Sequence, residues 1–589
     1  MAPASICSLS PELIKRIATD LGERECQWGV DKYRASFAFT CRYISTPVLD
    51  VLWSQLNGLL PLLHTLPPDL VAAMPAGKCG CDRRFVMLRA PNAEDFRRFS
   101  IYACRVRKIA LKSFGSAGYK HTDVITQEFW DCLVINAPKP FLPNLREFTR
   151  RDLFSFYYYR RYRECKMNDE HPSPCQIALQ PFLGANLKRA SFTLHSPPSG
   201  QPSTSGDTLR SMARVSPGLE SLSLAYCDWH NPVHPSDLHG FTNLVKFSSS
   251  TGLPAGLLWG LGTLPRLREM EMSVPLQGTT VWDWVDFPHG REAGLFPSLV
   301  RLEASVKDIL WTVSFIGTIT SRSLSHIAVQ HQPHIDSIPD ELYESLCVAI
   351  ADLPSHEYIT FLAITTPVCQ RFDTSFRGLP SRTVAPLLRL NRLQHLRTDG
   401  ERFAVLVDDD MLDAMSRAWP DIRTLLLRSS DVWSGADPYD TSVPYYPPEE
   451  PIVDPDFPKA SLSGLVPLVL RCPHLEEFTV PIDTRRRHDR TLRLIQSPPA
   501  ALRARPSRVR VFHAPGSILE PNRSSRLTLA TFLSLLFPNL AGIGPGRPRY
   551  SWHAVRELCE MLGEVRQQEL RWWEARARTQ ATAKSEGLR

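Results

Sequence analysis

One short pattern of apolar and polar positions recurs down the chain: apolar-x-x-apolar-x-apolar, often with a proline two residues before the first apolar residue. The clearest copies are Leu219, Leu222 and Leu224 after Pro217; Leu267, Met270 and Met272 after Pro265; Ile422, Leu425 and Leu427 after Pro420; and Leu475, Phe478 and Val480 after Pro473. Weaker copies start at Val106, Leu145, Leu187, Leu244, Leu299, Leu324, Ile359, Leu393, Val509 and Leu540, mostly 23 to 42 residues apart. Alternation over so few residues predicts a short strand with every second side chain turned inward, and the intervals leave room for a mainly helical return. Asp340–Ile350 and Asp409–Met415 have the helical spacing and acidic starts of such returns. A strand-and-return unit repeated many times builds a solenoid.

The first sixty residues follow a different period. Ser10-Pro11-Glu12 reads as a helix start, with a capping serine, proline where its missing N–H costs nothing, and an acid at the positive end of the dipole. Leu13, Ile14, Ile17, Ala18 and Leu21 come next as an apolar stripe that Gly22 ends. A second stripe runs through Ala35, Phe37, Ala38, Cys41 and Ile44, and Thr46-Pro47 opens a third segment with Val48, Leu49, Val51, Leu52, Trp53 and Leu56. Three short helices of about fifty residues cannot bury that much apolar surface among themselves, so part of it is expected to meet a partner or the next domain.

Leu9-Ser10-Pro11-Glu12-Leu13, Ile17 and Leu21, then Thr40-Cys41-Arg42-Tyr43 and Leu49-Asp50-Val51-Leu52-Trp53, resemble the F-box, the three-helix motif that docks on the Skp adaptor of cullin-RING ubiquitin ligases. The resemblance spans residues 9–56; it departs from the family pattern in the serine between Leu9 and Pro11, in Tyr43 where tryptophan is common, and in a long polar connection from Gly22 to Lys32. It implies that Leu9, Pro11, Leu13, Ile17, Cys41, Tyr43 and Trp53 hold the Skp adaptor. An ordinary helical cap on the rest of the chain is the alternative. The recurring copies resemble irregular leucine-rich repeats, in which the Asn or Cys of the full family motif is mostly missing and Cys227 is a rare match. The expected architecture is an α/β solenoid: a three-helix F-box-like module (1–60), a connecting segment (61–104), an irregular leucine-rich-repeat horseshoe (105–548, with loops at 195–210 and 431–460), and a C-terminal capping helix (549–589).

Residues between the buried positions of the strands would line the concave face. They include Glu269, Glu271 and Ser273; Arg301, Glu303 and Ser305; His326 and Gln330; His395, Arg397 and Asp399; Thr424 and Arg428; Glu477 and Thr479. Glu269, Glu271, Arg301, Glu303, His326, His395 and Arg397 are the candidates for binding a protein substrate, because the row is mixed in charge and poor in aromatics. An ordinary solvated sheet face is the alternative reading for each.

Composition narrows the classes. Proline is the anomaly, 50 of 589 residues against an average of roughly 5%. Seven repeat starts carry it two residues upstream, as Pro143, Pro217, Pro265, Pro297, Pro420, Pro473 and Pro538; there it ends the preceding helix and feeds the strand. A net charge of +7 from 68 basic and 61 acidic residues does not by itself imply nucleic acid. Charge is uneven: 431–458 holds seven acidic and no basic residues, and Arg485–Arg510 holds nine arginines against Asp489. No long apolar run and no signal-type start point to a cytoplasmic or nuclear protein without a membrane span, and the fourteen scattered cysteines then read as reduced thiols.

Candidate chemistry is sparse. Nucleophile elbows, P-loops, zinc-protease helices and kinase signatures are absent, and Gly542-Ile543-Gly544-Pro545-Gly546 reads as a turn. Cys79-Gly80-Cys81 lacks a matching pair, and Cys227, His230, His234 and His239 are interrupted by Pro232 and Pro235, so no metal or other cofactor is expected. Asp408-Asp409-Asp410 reads as a helix start. The tract Tyr157–Arg163 interleaves aromatics with arginines as single-strand binders do, and the basic run from Arg485 fits an import signal or an acidic partner. The expectation is a non-enzymatic adaptor that joins a Skp-type adaptor, and through it a cullin-RING ligase, to an unknown protein substrate; a scaffold of the same fold outside any ligase and a nucleic-acid binder are the alternatives.

Overall fold

The apolar residues that start the recurring pattern, from Val106 to Val509, are all buried, and Leu540 is half-buried. The computed structural model describes residues 9–23, 30–74, 83–112, 123–125, 127–151, 180–194, 205–227, 234–250, 252–253, 255–273, 294–332, 340–366, 379–399, 405–427, 459–484, 488–497, 499, 507–514, 517, 523–544 and 549–586. Cys79, Cys81, Tyr157–Arg163, His230, Arg428 and the acidic stretch 431–458 lie outside these residues. The chain divides into two compact units, Met1–Leu267 and Arg268–Arg589.

The first unit opens with α1 (Pro11–Glu23), α2 (Val30–Ala38) and α3 (Arg42–Leu52). A parallel sheet comes next in chain order, from β1 (Gln55–Leu56) through β4 (Lys108–Lys112), β6 (Glu147–Arg151), β7 (Arg189–Leu194) and β8 (Ser221–Cys227) to β9 (Lys246–Ser249). Between β1 and β6 the chain also builds a small sheet in which β2 (Val71–Met74) is antiparallel to β3 (Arg83–Met87), and β3 is parallel to β5 (Asp123–Ile125). Residues 61–104, expected as a plain connection, therefore hold two strands and the helix Arg97–Ala103.

The second unit has the same plan. Its parallel strands are β10 (Glu269–Ser273), β11 (Arg301–Val306), β12 (His326–His331), β13 (Phe361–Thr365), β15 (His395–Asp399), β17 (Thr424–Leu427), β18 (Glu477–Thr479), β19 (Val511–His513) and β20 (Gly542–Gly544). A short side pair joins β14 (Leu379–Pro380) to β16 (Val405–Leu406). The returns include the helices Ile309–Gly317, Asp340–Ala351, Asp409–Ala418, Leu465–Arg471 and Arg523–Leu536. Each unit is a mixed α/β fold with a parallel sheet, consistent with a solenoid-like arrangement.

One hydrogen-bond motif generates the repeat. The two residues after the first buried position both donate their N–H to a single carbonyl of the preceding repeat. In the first unit Arg107 and Lys108 share Ser54 O (2.9 and 2.8 Å), and Arg146 and Glu147 share Arg107 O (2.8 and 3.0 Å). In the second, Gln394 and His395 share Thr360 O (2.8 and 2.9 Å), and Glu476 and Glu477 share Arg423 O (2.8 and 3.1 Å). The doubly accepting carbonyl fixes register, so inward positions such as Met270, Leu302, Ile327, Leu362, Leu396 and Leu425 align as one buried row.

The recurring proline has a sharper role than helix termination. Leu145 N donates to Leu142 O (3.2 Å), Leu219 N to Ser216 O (3.1 Å), Ile422 N to Trp419 O (3.2 Å) and Leu475 N to Cys472 O (3.2 Å). Pro143, Pro217, Pro420 and Pro473 thus take the second position of a hydrogen-bonded four-residue turn, where their fixed φ is already correct.

Local expectations shift in four places. Pro47 lies inside α3 instead of opening a helix; Ile44, Pro47 and Val48 share its buried face, and that packing offsets the bond that proline cannot donate. Helix Ser205–Val215 claims the end of the expected loop 195–210, because Leu209, Met212 and Ala213 bury one face. Gly542–Gly544 is not a turn but strand β20, paired with β19. The long C-terminal helix, Arg549–Glu586, buries Trp552, Val555 and Cys559 near its start, whereas Val565 and Trp572 are exposed.

Candidate protein-interaction surfaces

The N-terminal helices share a core of Ile14, Ala18, Ala38, Ile44 and Val48, with Leu9, Phe37, Cys41, Leu49 and Val51 packed against it. Tyr43 Oη donates to Leu9 O (2.9 Å), and Arg34 on α2 donates to Ala18 O (2.8 Å) and Thr19 O (3.3 Å) on α1. With one face of α1 consumed, Leu13, Ile17 and Leu21 stand on the other, 49%, 36% and 39% exposed. Four-residue spacing puts the three on one helical stripe. Phe39 and Tyr43 are also exposed.

The seven residues expected to hold an adaptor therefore separate. Pro11, Leu13, Ile17 and Tyr43 are exposed, and Leu9 and Cys41 are half-buried against the small core. Trp53 is half-buried and stacks on Tyr102 (centroids 4.3 Å apart, planes at 30°). Beside it, Asp50 pairs with Lys15 (3.3 Å) and with Arg105, whose guanidinium also donates to Thr46 O (3.2 Å). Trp53, Asp50 and Arg105 thus fasten the helices to the start of the sheet.

The seven substrate candidates all lie on the outward face of the second unit's sheet, and strand register orders them. One row reads Glu269, Arg301, His326, Phe361, His395, Thr424 and Glu477; the next reads Glu271, Glu303, Ala328, Ala363, Arg397, Leu426 and Thr479. Arg301 Nε donates to Glu303 Oε1 (2.7 Å), and His326 Nε2 lies 3.7 Å from the same oxygen. The His326 imidazole lies parallel to the Phe361 ring (4.0 Å, 7°), Phe361 meets His395 at 6.0 Å, and His395 Nδ1 lies 3.1 Å from Thr424 Oγ1. Burial lowers the pKa of His326, with Arg301 and His395 adding to the shift and Glu303 opposing it; burial likewise lowers that of His395, aided by Arg423 and opposed by Glu476.

Phe361, Ala328 and Ala363 complete this face, and charge-based reading missed them. Phe361 adds one aromatic ring to the face, set between the two imidazoles as a three-ring ladder. The signal was present in the repeat starting at Ile359, whose between-positions are Phe361 and Ala363.

Comparison with known proteins places the chain in no family: no family model matches it, and no curated protein matches it. Among solved structures, the yeast Rad7–Elc1 complex matches with 14% identity and a TM-score of 0.27, covering 58% of this chain and 78% of that one. The Toll–Spätzle complex, described as a hub of Drosophila development and innate immunity, matches with 14% identity and a TM-score of 0.24, covering 55% and 47%. Likenesses this low carry no functional inference.

The outward face of the first unit carries Lys108 and Arg189 on either side of Glu147 (2.9 and 3.2 Å), beside a hydroxyl row of Thr149, Ser191, Ser223 and Ser248. Burial pushes the thiols of Cys347, Cys472 and Cys559 up to about 12, far from the thiolate a nucleophile needs. Asp408 caps its helix by accepting from Met411 N (2.8 Å), as expected of a helix start. Asp237 engages Arg210 (2.6 Å) and His234 N (3.0 Å) between His234 and His239. Among the described residues no cluster of His, Cys, Asp and Glu could hold a metal, and no helix is long and apolar enough to cross a membrane.

Proposed function

We propose that this chain is a non-enzymatic substrate-recognition adaptor of a Skp–cullin–F-box type ubiquitin ligase, acting in the cytoplasm or nucleus. The observation that carries the reading is the divided face of α1: Ile14 and Ala18 build a core while Leu13, Ile17 and Leu21 remain in solvent. Covering the three at a partner contributes on the order of 1 kcal/mol each. Tyr43 and Pro11 lie among the exposed residues of the same helices, and their sequence resembles the F-box. The repeats beyond them, read as irregular leucine-rich repeats, supply long outward strand faces suited to a protein substrate. Catalysis is then a matter of effective concentration, a substrate held beside a ligase carried by other subunits.

Co-purification with a Skp-type adaptor tests the reading. The unmutated chain should retain the adaptor, and Leu13→Asp with Ile17→Asp should release it while leaving the fold intact. Absence of any association with the unmutated chain would leave a scaffold of the same fold outside a ligase.

A further inference from the structure

Beside the ring ladder, the outward face of the second unit's sheet carries two alanines between charged positions, a small-residue step termed the trough. Ala328 and Ala363 are adjacent in register on β12 and β13, with methyls the only side chains there. His326, Phe361 and His395 line one side, and Gln330 and Thr365, also paired in register, line the other. Across the β11 end stand Glu303 and, opposite it on β10, the exposed Glu271; at the β15 end stands the exposed Arg397, with Asp399 two residues further along the same strand, opposite Thr365. Arg301 and His326 both approach Glu303 through Oε1, so Oε2 carries no partner among the described residues.

The spacing fits one kind of occupant. Neighbouring strands are about 4.8 Å apart, so β11 to β15, three steps, spans about 14 Å. An extended peptide rises about 3.4 Å per residue and turns alternate side chains to one side, so residues i, i+2 and i+4 reach across the same 14 Å on one face. We infer that this trough binds an extended segment of the substrate protein that carries a basic residue, an apolar residue and an acidic residue at alternate positions. The basic side chain meets Glu271 and Glu303, the apolar one lies on the two alanines against Phe361, and the acidic one meets Arg397. Gln330 is exposed beside the trough and offers both a donor and an acceptor to a peptide backbone. The carboxylates disfavour a nucleic-acid backbone at the β11 end. The inference rests on the reading of this chain as a substrate receptor and names the segment that it reads.

Fluorescence anisotropy on the full chain tests it with two labelled peptides, Gly-Arg-Ser-Leu-Ser-Asp-Gly and its reverse order, since strand register does not fix direction. One of them should bind at least roughly tenfold more tightly than a peptide with serine in place of both charges. Glu271→Lys with Glu303→Lys should lose that preference and regain it for the peptide with Glu in place of Arg; Glu271→Lys alone, at an exposed position, serves if the pair does not fold. Ala328→Gln should weaken both. Equal binding of charged and uncharged peptides, no binding, displacement by single-stranded DNA in place of the matched peptide, or indifference to the Glu→Lys changes overturns the inference. All these variants should keep the Skp-type adaptor, so failure here is distinct from failure at the N-terminal helices.

Discussion

The imidazole of His326 lies flat on the ring of Phe361, 4.0 Å between centroids and 7° from parallel. Both His326 and His395 are held below their ordinary pKa of 6.5, chiefly by burial. The unfolded chain therefore takes up protons first as pH falls, and stability is greatest above 6.5 and declines as pH drops through the folded values. Thermal melts between about pH 8 and about pH 5 should show this decline. His326→Gln with His395→Gln should flatten it, whereas Glu303→Gln, which removes the opposing charge, should steepen it. An unchanged slope in the double histidine variant would exclude these residues as the source.

Gly464 and Asp409 form a close-packed joint within the second unit. Asp409 accepts from Ser461 N and Ser461 Oγ, both at 2.7 Å. A Cβ on Gly464 would collide with that carboxylate and stand 2.9 Å from its Cγ. Gly464→Ala should therefore cost about 1–3 kcal/mol. Gly464→Ala with Asp409→Ala should lose less than the two single losses added together, because the clash disappears with the carboxylate. Denaturant melts of the four proteins in the cycle give the coupling, and strict additivity would contradict a direct clash.

An asparagine ladder supports the first unit. Asn144 donates to Cys104 O (2.6 Å), Asn186 to Pro143 O (2.9 Å) and Asn243 to Pro217 O (3.1 Å), each reaching back one repeat; Asn539 does the same to Ser507 O (2.9 Å) in the second unit. Asn186→Ala should cost about 1 kcal/mol, the worth of one such bond, and Asn243→Ala more, because Asn243 Oδ1 also accepts from Arg266 (2.8 Å). Asn136, whose amide donates to Cys132 O within its own helix (2.8 Å), is the control whose loss should be smaller.

The strands were legible because each carries two inward residues in alternation three positions after a buried start, and the shared carbonyl then fixes their register. The asparagines were not, because they precede the first apolar residue, where neither alternation nor helical spacing marks them. Residues 61–104 escaped for a related reason: the strands Val71–Met74 and Arg83–Met87 pair outside the repeating sheet and obey no repeat period. Sequence places Trp53 beside the exposed helix residues and gives no sign of its packing. Its contact with Tyr102 depends on a pairing forty-nine positions away that no local pattern encodes. The charged members of the second unit's face were found from alternation, but a search for charge passes over Phe361 and two alanines, whose importance lies in shape.

Leu13 and Ile14 are adjacent in sequence and opposite in environment, 49% and 0% exposed. If α1 serves only as a cap, both faces should be dispensable in proportion to their burial, and nothing but stability should change. If its outer face is a docking surface, the two faces should dissociate in experiment. Ile14→Ala opens a cavity among Ala18, Ala38, Ile44 and Val48 and should cost about 2–5 kcal/mol. Leu13→Asp with Ile17→Asp removes no buried contact of that core and should shift stability by no more than about 0.5 kcal/mol. Thermal melts beside adaptor co-purification separate the outcomes: the outer-face pair should abolish the association at nearly unchanged stability. A parallel loss of fold would mean that Leu13 and Ile17 pack within the chain.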